Sequence, residues 1–77
     1  MTIRVYSAAA CVQCLATCRE MEKRGLSYTV INVDETPAAR EDLAQLGYRQ
    51  LPVVTVGESH WSGFRPDRIR ELAGATA

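Results

Sequence analysis

Residues 2–25 read TIRVYSAAACVQCLATCREMEKRG, and within them Cys11-Val12-Gln13-Cys14 stands between a strand-patterned stretch and a helix-patterned one. Ile3 and Val5 alternate with polar neighbours, as a half-buried strand does, over residues 2–6. From residue 12 the period changes. Cys14, Leu15, Cys18 and Met21 then share one helical face, Arg19, Glu20, Lys23 and Arg24 lie mainly on the other, and Gly25 suits a left-handed cap closing a helix over 12–24. Two thiols therefore flank a helix start. Unpaired backbone N–H groups and the positive end of the helix dipole favour a thiolate there. A thiol that titrates near ~8.5 in isolation falls to about 3.5–7.5 in such settings. No Ser, Thr or Asp stands in Ala8-Ala9-Ala10 to cap the helix, so the Cys11 sulfur is expected to accept the N–H groups of residues 13 and 14. Cys14, one turn further in, is the less exposed thiol and suits attack on a mixed disulfide formed at Cys11.

The same Cys-x-x-Cys spacing occurs in zinc half-sites. Such a site needs two more ligands, and Cys18 and His60 stand at spacings that fit no finger or ribbon. A redox reading of Cys11 and Cys14 fits the strand-then-helix context better. Cys18 lies one turn from Cys14 on the same face, yet residues four apart keep their Cβ atoms roughly 5–6 Å apart, too far for a disulfide. It reads as a buried small hydrophobe.

Seventy-seven residues suit one domain spanning 1–77, and 47% hydrophobic with 23% charged residues describes a globule rather than a disordered chain. Nine basic and nine acidic residues cancel, which removes the electrostatic footprint of a nucleic-acid binder. The start lacks the pattern of a signal peptide and no apolar stretch is long enough to span a bilayer, so no membrane association and a cytoplasmic setting are expected. In a reducing compartment three cysteines point to a transient, catalytic disulfide.

Further along, Tyr28–Val33 is rich enough in β-branched and aromatic residues for a second strand. Thr36 and Pro37 open a helix that packs through Ala39, Leu43 and Leu46 and stops before Gly47. Residues 52–56 form a nearly continuous apolar run, as a strand covered on both faces does. Gly57-Glu58-Ser59 turns into a short strand at 60–62, and Pro66 begins a last helix carrying Ile69, Leu72 and Ala73 inward and stopped by Gly74. The order β-α-β-α-β-β-α predicts an α/β chain with a four-stranded mixed sheet flanked by three helices. A right-handed crossover sets the first two strands side by side and leaves the dithiol at a strand's carboxyl edge.

This order resembles the thioredoxin/glutaredoxin-like fold. Cys11-Val12-Gln13-Cys14, Gly47-Tyr48-Arg49-Gln50-Leu51-Pro52-Val53-Val54 and Trp61-Ser62-Gly63-Phe64-Arg65-Pro66-Asp67 narrow the resemblance to the NrdH-redoxins, glutaredoxin-like electron donors of class Ib ribonucleotide reductases. The resemblance implies a dithiol–disulfide oxidoreductase in which Cys11 is the nucleophile and Cys14 the resolving thiol. It implies a cis Pro52 facing the dithiol, leaving the Leu51 backbone to pair with an extended, cysteine-bearing partner segment. Val12, Gln13, Gly63 and Phe64 would face partners; Trp61, Arg65 and Asp67 would support the site, with Arg65 stacking or bonding near Trp61. Arg49 and Gln50 read either as steering groups for an acidic partner or as a solvated loop, and His60 as solvent-facing. The implied partners are thioredoxin reductase, which holds the flavin and uses NADPH, and the large subunit of class Ib ribonucleotide reductase. The redoxin itself would be a monomer with no bound cofactor or metal beyond its redox-active disulfide.

Glutathione-using relatives usually carry a basic residue before the cysteine motif and an acidic pair opening the last helix. Here Ala8, Ala9 and Ala10 occupy the first place, and Asp67 is the one acid in Arg65-Pro66-Asp67. The alanine run also departs from the polar or basic residue and proline that many NrdH-redoxins have there. The alternatives are a glutathione-dependent glutaredoxin, a metal- or cluster-binding module using Cys11 and Cys14, and a redox-sensing interaction domain.

Overall fold

The alternation of Ile3 and Val5 with Tyr6 dictates how the sheet is covered. In the computed structural model, which describes residues 2–76, the order is β1 (Ile3–Ser7), α1 (Val12–Lys23), β2 (Thr29–Asn32), α2 (Pro37–Gln45), β3 (Val53–Val56), β4 (Ser59–Ser62) and α3 (Pro66–Thr76). The strands form one mixed sheet in the order β2-β1-β3-β4. β1 runs parallel to β2, with Val5 opposite Val30, and antiparallel to β3, with Tyr6 opposite Val53; β3 and β4 pair antiparallel, with Val53 opposite Ser62. The expected α/β fold and element order are borne out.

Because side chains alternate along a strand, the sheet separates two apolar layers. Ile3, Val5, Val54, Val56 and Trp61 join Met21 of α1 and Ile69 of α3 on one face. Tyr6, Val33 and Val53 join Ala39 and Leu43 of α2 on the other. Fully burying a side chain such as Met21 or Ile69 contributes about 1.5–3 kcal/mol. Both are fully buried.

Two helix ends follow the glycine signals. Leu26 N–H bonds to the Met21 carbonyl at 2.9 Å and Gly25 N–H to Glu22 at 3.0 Å, while Tyr48 N–H bonds to Leu43 at 3.0 Å and Gly47 N–H to Ala44 at 3.0 Å. Gly25 and Gly47 hold φ of 72° and 87°, the left-handed position this cap requires. In each case the residue after the glycine shares a core cluster with the residue whose carbonyl accepts its N–H: Leu26 with Met21, Tyr48 with Leu43.

Several local expectations are corrected. The last helix passes through Gly74 to Thr76; an interior glycine costs about 1 kcal/mol against alanine without ending a helix. Thr36 occupies the cap position of α2 but its side chain makes no capping bond, and the Thr36 carbonyl instead accepts from Ala39 N–H at 3.0 Å. Leu15 is 60% exposed and Leu46 48% exposed, although the helical period set them inward. Tyr28 and Val33 fall just outside β2. Val33 N–H nevertheless bonds to the Ser7 carbonyl at 2.9 Å.

Candidate functional site

Three loops meet at one edge of the sheet because the strand directions bring them there. β1 ends at Ser7 and leads to Cys11; Val53, opposite Tyr6, places Pro52 at the same edge; and Ser62, opposite Val53, ends β4 there. Cys11 and Cys14 are joined in a disulfide with their Cα atoms 5.2 Å apart. Cys11 is the cap residue of α1, in extended conformation with φ −101° and ψ 104°, and its sulfur accepts the Cys14 N–H at 3.2 Å. The N–H of Gln13, expected as a second donor, makes no such bond. Cys14 is buried and Cys11 half-buried, as the predicted division between them requires. The chain reaches Cys11 through Ala10, whose φ of 58° lies in the left-handed region that alanine ordinarily avoids.

Hydrogen bonds tie the three loops together. The Ser62 hydroxyl donates to the Gln50 carbonyl at 3.0 Å, Gly63 N–H donates to the Pro52 carbonyl at 2.8 Å, and Phe64 N–H donates to Gln13 Oε1 at 3.4 Å. The Leu51-Pro52 peptide bond is cis. Between the two engaged carbonyls, the Leu51 N–H and C=O have no hydrogen-bond partner among the described residues. They lie at a bend just before β3, at the end of the sheet from which β1 leads to the dithiol, as backbone groups open to a partner. Gly63 holds φ 86°, a left-handed conformation that favours glycine, and a Cβ there would lie in ordinary contact, 3.7 Å from Gln13 Oε1.

The surroundings are apolar. Val12 is 78% exposed and Phe64 38% exposed. A groove of about 320 Å³ beside the disulfide is walled by Ala8, Ala10, Leu15, Cys18 and Val30. Cys18 is half-buried against the α1/α3 layer rather than fully enclosed.

Around α3 the roles of two arginines differ from expectation. Arg68, not Arg65, lies over the Trp61 ring, 5.6 Å from its centroid. Trp61 is buried, at 5% exposure. Arg65 instead grips Asp67 through two bonds of 3.1 and 3.0 Å. That fork holds the Asp67 carboxyl below its ordinary range and raises the Arg65 guanidinium. His60 is exposed, and its Nδ1 shares a 2.6 Å hydrogen bond with the Tyr48 hydroxyl. Burial first, then its 2.7 Å bond to Glu22, pushes the Tyr28 hydroxyl upward.

Arg49 and Gln50 lie exposed on the loop leading to Leu51. Sequence reasoning missed the Ser62 hydroxyl, the Ala10 backbone and the Tyr48–His60 pair. Ser62 carried a signal, since a hydroxyl at a strand's end commonly serves a neighbouring backbone group; the other two depend on contacts that local pattern does not encode. Among the described residues, no group of three or more His, Cys, Asp or Glu side chains is placed to hold a metal ion, and no helix is long and apolar enough to cross a membrane.

Comparison with known proteins agrees with this geometry. The sequence model of the Glutaredoxin family matches residues 3–61. The Glutaredoxin-like protein NrdH of Escherichia coli (strain K12) is 54% identical over 72 residues, covering 94% of this chain and 89% of that protein. The protein of the same name from Lactococcus lactis subsp. cremoris is 34% identical over 71 residues, 92% and 99% of the two chains. The solved NrdH-redoxin of Escherichia coli superposes with a TM-score of 0.91 at 54% identity, covering 94% of this chain and 95% of that one.

Proposed function

We propose, for a chain that belongs to the glutaredoxin family and within it to the NrdH-redoxins, that it carries electrons from thioredoxin reductase to class Ib ribonucleotide reductase. It is a thiol–disulfide oxidoreductase, and Cys11–Cys14 is its redox-active disulfide. In the proposed cycle the Cys11 thiolate attacks a disulfide on the large subunit of the ribonucleotide reductase, releasing one partner thiolate and forming a mixed disulfide. Cys14 then attacks Cys11, closing the intramolecular disulfide and releasing the second partner thiol, now reduced by two electrons in all. The flavin of thioredoxin reductase, fed by NADPH, restores the dithiol. Val12, Gln13, Gly63 and Phe64 face the docked partner, and Leu51 pairs with its backbone. We assign this exchange to the cytoplasm, where a transient disulfide is the expected kind.

The observation that carries the reading is the poverty of charge where glutathione would bind. Ala8–Ala10 supply no cation, and Asp67 is already engaged by Arg65 at both carboxylate oxygens. A tripeptide held by its carboxylates and amine finds few free partners there. The Escherichia coli NrdH-redoxin, 54% identical, is described as having a thioredoxin-like activity profile. Reduction of the Cys11–Cys14 disulfide by thioredoxin reductase with NADPH is expected to exceed reduction by glutathione with its reductase; the reverse order would instead assign a glutathione-dependent glutaredoxin. Mixed in reduced form with the ribonucleotide reductase subunit, Cys14→Ser should accumulate a mixed disulfide, and continued turnover by that variant with thioredoxin reductase would refute the assigned roles.

A further inference from the structure

Resting on the oxidoreductase reading, the third thiol of the chain bears on how the resolving step is driven. Cys14 is buried, at 4% exposure, and must lose its proton before it can attack Cys11 in a mixed disulfide. Its surroundings give that thiolate little support. The groove of about 320 Å³ beside it is walled by Ser7 and Ala8–Ala10 from β1 and its loop, by Val30 from β2, and by Cys11, Leu15 and Cys18 from α1. Among the described residues no Asp, Glu, Lys, Arg or His borders the groove, so burial disfavours the charged form of Cys14 and no neighbouring cation offsets it.

Cys18 is the side chain placed to change this. It stands one helical turn from Cys14 on the same face, with Cβ atoms roughly 5–6 Å apart, a spacing that excludes a disulfide but lets one sulfur donate to the other. The adjacent Thr17 commits its hydroxyl to the Gln13 carbonyl at 2.8 Å. Cys18 is a free thiol and makes no such bond to the carbonyl four residues back among the described residues. Beside it lies the Tyr28 hydroxyl, whose proton is donated to Glu22 Oε1 at 2.7 Å. Glu22 and Cys18 are the two titratable groups that act on Tyr28. The phenol therefore offers Cys18 an oxygen lone pair and no hydrogen, and the Cys18 S–H stays available. Of its two acceptors, a charged sulfur binds that hydrogen more strongly than a neutral phenol oxygen does.

We propose that Cys18 is a positioning residue for the resolving step: its S–H turns from the Tyr28 oxygen to Cys14 as the Cys14 thiolate forms, and holds that thiolate for attack on Cys11. In the attack the S–S bond between Cys11 and the partner breaks, the Cys11–Cys14 bond forms, the partner leaves as a thiolate and the Cys14 proton goes to solvent. Cys18 itself is neither oxidised nor deprotonated.

The test isolates resolution in the full chain. Reduced protein freed of reductant is mixed with dithiobis(nitrobenzoate) at acidic pH, which places one aryl thiol on Cys11. A stopped-flow jump to a series of higher pH values then lets Cys14 displace the coloured aryl thiolate, and its first-order release reads closure of the disulfide. In wild type the rate is expected to rise with pH to a plateau. Cys18→Ala should close about threefold to tenfold more slowly at neutral pH, the scale of one lost hydrogen bond, and reach the same plateau at alkaline pH. Cys18→Ser, which keeps a donor, should recover most of the rate, and Tyr28→Phe, which removes the competing acceptor, should close at least as fast as wild type. A Cys18→Ala profile that coincides with wild type, a slowing of equal size at every pH as lost packing alone would give, Cys18→Ser no faster than Cys18→Ala, or Tyr28→Phe slowed like Cys18→Ala would each overturn the proposal. Failure of the wild-type dithiol to take up or release the aryl thiol at any pH would instead strike the oxidoreductase reading itself.

Discussion

The Ser62 hydroxyl acts at some distance from any sulfur, yet it engages the Gln50 carbonyl next to Leu51. With Gly63 holding the Pro52 carbonyl, it leaves the N–H and C=O of one residue, Leu51, available to a partner. Ser62→Ala is expected to raise KM for a protein disulfide by about threefold to tenfold, matching a lost hydrogen bond of about 1 kcal/mol, with little change in kcat. Ser62→Thr should restore it; steady-state kinetics with both variants decides. The Arg65–Asp67 fork gives a pH prediction. Asp67 titrates below its ordinary value, so the folded-state advantage of this pair is present above the unfolded carboxylate range and is lost as pH falls through the lower folded value. An NMR titration should show the Asp67 carboxyl with a midpoint below ~3.9, moving up toward that value in Arg65→Gln.

Where the chain follows local rules, whole elements were legible. Gly25 and Gly47 each occupy the position that a left-handed helix cap demands, and Pro37 opens its helix as its fixed φ allows. The Cys11 cap was legible because Ala8, Ala9 and Ala10, which lead into it, have no side-chain acceptor. Expectations fail where tertiary packing overrides periodicity. Leu15 and Leu46 match the helical pattern but stay exposed, since no neighbouring element covers them. Arg68 stacks on Trp61, where Arg65 was expected, because α3 turns Arg68 toward β4 and leaves Arg65 beside Asp67. The loops around the dithiol were legible only as separate motifs, since their hydrogen bonds join residues up to 51 positions apart in the chain. At the end of α2, Gly47→Ala tests whether the cap positions the loop to Leu51. A Cβ at φ 87° finds open space but enters a backbone region costing roughly 1–2 kcal/mol. Denaturant unfolding should report a loss of that size. The Tyr48–His60 hydrogen bond, carried by the residue just after the cap, should weaken with it, which the histidine's NMR shifts would reveal.

On the scale of the whole molecule, the sheet is a partition as well as a platform. Val53 and Val54 are adjacent and both fully buried, but alternation sends Val54 into the α1/α3 layer with Ile69 and Val53 into the α2 layer with Leu43. A chain of this size has a total stability of roughly 4–12 kcal/mol, so mild truncations are the right probe. Ile69→Val should cost about 0.5–1.5 kcal/mol, and either valine-to-alanine change about 1.5–2.5 kcal/mol. If the two layers pack independently, Ile69→Val combined with Val53→Ala should be additive within about 0.5 kcal/mol, because the altered side chains share no neighbours. Ile69→Val combined with Val54→Ala should depart from additivity, since both changes open space in one apolar layer and that layer can relax around them together. Equilibrium unfolding of the three single and two double variants measures both couplings. Strong coupling across the sheet would mean that the strands transmit strain from one layer to the other. In that case α1, which carries the dithiol, and α2, which rest on opposite layers, could not be treated as independent of one another.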